Sequence, residues 1–193
     1  MSLSPEDQAR ADFYGLIARL LYAAPDQQLI SELVRAPALE GAGALAAAWR
    51  EMVDECRSAF PVTLENEHTE LFVGTGKAEI TPYLSYYILQ HSNDNPLVAL
   101  RQQLAAWGIG RREEVPEYED HISGICEAMR FAIAVQHRSP EEQKDYFERF
   151  IYRGSVSFCD AVSASPNARF YRRVAGFARA FFDIEKSAFE MVD

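Results

Sequence analysis

Apolar positions in this chain recur at helical spacing almost from end to end. Phe13, Leu16, Ile17, Leu20 and Leu21 follow the i, i+3, i+4, i+7, i+8 pattern of an amphipathic helix. Ser4-Pro5-Glu6-Asp7 supplies its start: a capping hydroxyl, a proline in the first turn, then acids at the positive end of the helix dipole. Pro25 and Pro37 bracket a shorter second helix, and an alanine-rich third is expected from about Leu39 towards Phe60, ended by Pro61. Leu64, Leu71 and Phe72 mark a fourth. Leu97, Leu100, Leu104 and Trp107 mark another, stopped by Gly108 and Gly110. Ile122, Ile125, Cys126, Met129 and Ile133 share one face of a long helix that ends near Ser139-Pro140. Pro140 with Glu141-Glu142 opens the next, through Phe147, Phe150 and Ile151, and a short helix from Ser155 to Ala164 follows. On the last helix Phe170, Val174, Phe177, Ala178, Phe181 and Ile184 are expected to share the buried face. No stretch of four or more residues alternates as a strand. The expectation is an all-α fold of roughly eight to ten helices in a single domain over residues 1–193.

Two segments lack periodicity, Gly74–Pro82 and Gly108–Pro116, and long irregular connections in a helical protein are where function concentrates. Composition narrows what that function is. Apolar residues make up 48% of the 193-residue chain and charged residues 25%, as in ordinary globular proteins. The net charge of −10 makes nucleic acid and anionic membrane poor partners and a basic peptide or protein an attractive one. The start carries no basic and apolar signal, and the longest apolar stretch, Gly41–Trp49, is too short to span a bilayer, so neither export nor membrane insertion is expected. Cys56, Cys126 and Cys159 are scattered and odd in number, which fits buried thiols in a reducing cytoplasm.

Each unusual stretch offers candidate chemistry. Gly74-Thr75-Gly76-Lys77 fails as a phosphate loop, because Leu71 stands where the first glycine belongs and Ala78 where the hydroxyl belongs. Glu65-x-x-His68 has the spacing of a helical metal-ligand pair, but the second such pair and the two further glutamates of a di-iron bundle are missing. A metal-dependent helical-bundle oxidase using Glu65 and His68 is therefore an alternative reading, and a generic helical interaction scaffold is another. No GxSxG elbow or triad is recognisable, and no cofactor is expected. Glu113, Glu114, Glu117, Glu119 and Asp120 place five acids within eight residues, with His121 behind them. Such crowding is tolerable where solvent or a cationic partner neutralises it, and carboxylates suit a guanidinium fork. Tyr83, Tyr86 and Tyr87, following Pro82, combine apolar faces with polar tips, the chemistry of half-wet recognition surfaces. Together these features point to a surface that holds a peptide bearing arginines and apolar residues.

At these residues the sequence resembles the TorD/DmsD/NarJ family of redox-enzyme maturation chaperones. The resemblance rests on Glu70-Leu71-Phe72-Val73-Gly74, on Pro82-Tyr83-Leu84-Ser85-Tyr86-Tyr87, and on Glu117-Tyr118-Glu119-Asp120-His121, where Tyr118 replaces the family's usual proline. It implies a cytoplasmic, non-enzymatic helical chaperone, monomeric or homodimeric. Such a protein binds the twin-arginine leader of a molybdenum oxidoreductase's catalytic subunit and holds it back from export while cofactor is inserted. By position, the resemblance assigns the leader-binding surface to Tyr83, Ser85, Tyr87, Glu117, Asp120 and His121. Helical spacing places Asp120 and His121 at the exposed end of the helix that begins at Ile122.

Overall fold

The computed structural model describes residues 3–74, 76–89, 95–112 and 114–192. Among them the chain forms ten α-helices: α1 (Pro5–Tyr22), α2 (Gln27–Arg35), α3 (Ala44–Cys56), α4 (Pro61–His68), α5 (Leu84–Leu89), α6 (Pro96–Ala106), α7 (Ile122–Ala134), α8 (Pro140–Tyr146), α9 (Arg153–Ala164) and α10 (Phe170–Phe189). Two π-helical segments, Thr69–Val73 and Phe147–Tyr152, continue α4 and join α8 to α9. The expected Ser4 cap is in place, its hydroxyl accepting from the Asp7 amide, and α8 opens with a reciprocal capping box between Ser139 and Glu142.

Three expectations are corrected. The third helix begins at Ala44, after a loop, and ends at Cys56. Pro61 therefore does not end it but opens α4, where a missing N–H costs nothing and Phe60 supplies the carbonyl for Thr63 and Leu64. On α10, Ile184 is 49% exposed, and Glu185 beside it turns inward instead. Glu185 is buried because Arg10 on α1 meets it with two parallel bonds of 2.7 and 2.9 Å, and the Tyr14 hydroxyl adds a third at 2.9 Å. A buried carboxylate is tolerable only when so fully partnered.

The core is one continuous cluster. α1 lies along α7, α10 packs on α3 and α9, and α9 packs on α5. α1 and α7 run antiparallel, since Gly15 lies against Arg130 while Tyr22 lies against His121. The aromatic residues of α10 interlock with Phe13, Tyr14 and Trp49 in edge and tilted geometries. Where α9 meets α5, a side chain at Gly154 would approach the Leu84 carbonyl to 2.9 Å, so only glycine permits that contact. All three cysteines are buried and free.

Candidate peptide-binding site

The Gly74–Pro82 segment is a built loop. The π-helical turn before it ends at Gly74, whose φ of +67° and whose missing side chain let the Lys77 carbonyl come close; a Cβ there would sit 2.1 Å from that oxygen. The Ile80 amide returns to the Leu71 carbonyl at 2.8 Å and closes the loop. Glu79 ties it to the α9–α10 connection by accepting from Ser165 Oγ and Asn167 Nδ2. One turn earlier, Glu67 accepts from the amides of Arg169, Phe170 and Tyr171, so a distant carboxylate caps α10 at the positive end of its dipole. Among the described residues of the loop no helix starts, and Lys77 is exposed; Thr75 lies outside them.

The two motif segments meet directly. The Ile122 amide donates to the Pro82 carbonyl and the Leu84 amide to the Asp120 carbonyl, each at 2.9 Å, making a one-residue antiparallel bridge between Tyr83 and His121. This bridge starts both α5 and α7, and it explains the burial that helical spacing could not foresee. Asp120 and His121 are not at an exposed helix end; each is only 5% exposed, covered by the opposite segment. Ser85 and Tyr87 are buried as well, and the Tyr87 hydroxyl turns back to the Thr81 carbonyl at 3.0 Å.

Tyr83 is half-buried, with its ring edge-on to His121 at 5.4 Å and its hydroxyl donating to Glu117. Tyr22 from α1 approaches the other side of His121, with ring centroids 6.4 Å apart. His121 Nδ1 accepts from the Ser123 amide at 3.2 Å and caps α7. Burial lowers its pKa to about 4, against the upward pull of Glu117. Burial raises the pKa of Asp120 despite the Ser85 hydroxyl beside it, and Asp120 Oδ1 has no hydrogen-bond partner among the described residues.

The acidic run is not a bare acidic patch. Glu119 contacts Arg101 at 3.0 Å and Arg111 at 3.9 Å; burial works against its ionised form, but a main-chain N–H and Arg101 bring its pKa below the usual value. The cationic partner that five clustered acids call for is in part supplied by the chain itself. Glu114 points to solvent, and Glu113 lies outside the described residues.

Beside this junction opens a cleft of about 750 Å³ between α1, α7 and the 108–119 segment. Gly15, Ala18 and Tyr22 come from α1, Ala128 and Phe131 from α7, and Ile109 and Val115 from the loop. Glu117, Tyr118 and His121 also line it, as do Arg19, Arg111, Arg112 and Arg130. Sequence reasoning missed the α1 contribution. The signal available was Gly15, a helix-interior glycine that costs helical stability without a local reason. Glu65 and His68 do not form one site: Glu65 is exposed, whereas His68 faces inward against Phe72 and Tyr171. Among the described residues no three His, Cys, Asp or Glu side chains gather as a metal site, and no helix is long and apolar enough to cross a membrane.

Comparison with known proteins gives a family and a fold. The family model described as nitrate reductase delta subunit matches residues 38–153, a span that contains all three motifs. A solved structure described as a redox enzyme maturation protein from Archaeoglobus fulgidus shares the fold, with a TM-score of 0.56 at 18% identity over 92% of this chain and 93% of that one. No curated protein sequence matches.

Proposed function

The chain belongs to the nitrate reductase delta subunit family, and on that premise we propose that it is a non-enzymatic maturation chaperone for a molybdenum oxidoreductase of the nitrate reductase kind. It works in the cytoplasm as a single TorD-like domain, without a resident cofactor. It binds the N-terminal, twin-arginine-type leader of the apo catalytic subunit and releases it after cofactor insertion. The observation that carries this reading is a cleft with apolar walls that the Glu117–His121 motif lines through Glu117, Tyr118 and His121. Apolar leader residues suit the apolar walls, and a guanidinium suits Glu117, which among the described residues accepts only from the Tyr83 hydroxyl. Ser85, Tyr87 and Asp120 support this surface from behind, through burial and the Tyr83–His121 bridge.

Calorimetric titration tests it. The probe is a synthetic peptide with two adjacent arginines followed by an apolar run, compared with a scrambled peptide of the same composition. Saturable binding at one peptide per chain, absent for the scrambled control, is expected. Equal binding of both peptides, or of neither, defeats the reading.

A further inference from the structure

The cleft carries charges of both signs, and they are not equally free. Among the described residues four arginines line it, Arg19 from α1, Arg111 and Arg112 from the loop and Arg130 from α7, together with Glu117, Glu119 and Glu127. In a chain of net charge −10, arginines gathered on one cleft call for a reason. Most of these groups are committed to one another. Glu127 accepts two bonds from Arg130, whose stem lies against Gly15. Glu119 accepts from Arg101 at 3.0 Å and faces Arg111 at 3.9 Å, while Arg111 Nη1 donates to the Val115 carbonyl. Glu117 alone of the three acids has no arginine of the chain beside it among the described residues. On the cationic side two groups are left over. Arg19 stands 3.8 Å from Asp26 and 3.7 Å from Glu32, too far for a hydrogen bond to either, and both carboxylates are more than half exposed. Arg112 is exposed and, unlike Arg111 beside it, forms no ion pair among the described residues. The uncommitted charges of the cleft are therefore one carboxylate and two guanidinium groups, set among the apolar side chains of Ile109, Val115, Ala128 and Phe131.

We propose that the cleft reads a carboxylate as well as an arginine: Arg19 and Arg112 pair with an Asp or Glu side chain that the bound peptide carries within its apolar run. A guanidinium fork left to water keeps its donors for a planar carboxylate, and a partly desolvated site strengthens that pair. A peptide whose only charges are arginines satisfies Glu117 but brings like charge towards Arg19 and Arg112, which disfavours it. The two arginines thus act by repulsion as well as attraction, and they sort clients that share arginines and apolar residues. This inference deepens the peptide-binding reading above and rests on it.

Calorimetric titration with two series of synthetic peptides tests it. Each peptide has two adjacent arginines followed by an apolar run, with an acetylated N-terminus and an amidated C-terminus. In one series a single Asp is moved through every position of the run, where it is the peptide's only carboxylate; in the other Asn takes its place. At one or more positions Asp should bind about fivefold or more tightly than Asn, and this preference should shrink as salt rises. Arg19→Gln and Arg112→Gln should each reduce the preference and together abolish it, with affinity for the Asn series changed by no more than about twofold. Both side chains are at least half exposed or unpaired among the described residues, so the double variant should melt close to wild type. Arg57→Gln combined with Arg173→Gln removes the same charge outside this cleft and should leave the preference intact. The inference is overturned if no position favours Asp, or if the preference survives in the Arg19, Arg112 double variant; binding of the Asn series would then still uphold the peptide-binding reading. Loss of the preference on adding inorganic phosphate equimolar with peptide would assign the arginines to a free anion and overturn it too. Binding of neither series defeats both readings.

Discussion

The main-chain N–H of Leu84 donates to the carbonyl of Asp120 at 2.9 Å, and with the reciprocal Ile122–Pro82 bond it welds two distant motif segments into one unit. Side chains on either segment are therefore positioned by the other. Substitutions at this junction should couple stability and binding in ways that depend on each group's burial.

Asp120 is a buried carboxylate, one oxygen of which has no partner among the described residues, and burial raises its pKa. Its charge at pH 7 therefore opposes folding. A group whose folded pKa lies above its unfolded value stabilises more as pH falls through that folded pKa. Asp120→Asn should thus match or exceed the wild-type melting temperature at pH 7, and the advantage should shrink on acidification, while leader-peptide affinity falls. Melting curves for both proteins at pH 7 and pH 5 check this; a variant that unfolds at pH 7 would show the charge to be structural.

His121 has the opposite sign. Its folded pKa of about 4 lies below the ordinary value of 6.5, so the native ring stays neutral while the unfolded chain takes up a proton. Stability from this residue is present in full above about pH 6.5 and is lost between there and about pH 4, amounting to roughly 3 kcal/mol. Urea unfolding of wild type and His121→Asn across that window should show the wild type losing stability faster, by a large part of that amount. Parallel pH profiles for the two proteins would contradict it.

Gly74 combines a φ of +67° with a carbonyl lying where a Cβ would be. Gly74→Ala should cost about 2 kcal/mol or more, because both the backbone conformation and the contact must give way. Gly43, an unstrained cap with open space around it, makes the control: Gly43→Ala should change stability by less than about 1 kcal/mol. Chemical denaturation of the pair decides, and equal costs would mean that the loop relaxes freely.

Arg101 competes for Glu119 with any arginine brought by a ligand. This pair is partly exposed, so Arg101→Ala should change stability by no more than about 1 kcal/mol. It should also tighten binding of an arginine-bearing peptide several-fold and steepen its decline with salt, as the Debye length falls to about 3 Å at 1 M. Titrations at low and high salt test both effects, and unchanged affinity would place the ligand's arginines away from Glu119.

Helical periodicity made the helix order and most of the core legible, and the Ser4-Pro5 start made that cap legible, because those features depend on near neighbours in sequence. Burial of Asp120 and His121 was not legible. Extending the α7 pattern backwards puts them outside the apolar stripe, and only the cross-chain bridge to residues 82–84, which has no periodic signature, covers them. The π-helical segments were invisible for a related reason: their wider turns shift the phase of the apolar pattern without introducing any residue that marks the change. Glu67 and Glu79 read as ordinary surface acids, since their partners on residues 165–171 lie about a hundred positions away.

Those long-range carboxylates give the order of synthesis a consequence. Glu67 leaves the ribosome well before the α10 amides that it caps, and Arg10 waits still longer for Glu185. Until residues through α10 emerge, the glycine loop is held from one side only and Arg10 on α1 has only Asp7, on its own helix, as a partner. The glycine loop and the start of α1 therefore reach their final packing only once residues through α10 have been made, so this part of the fold closes late and in one step during synthesis.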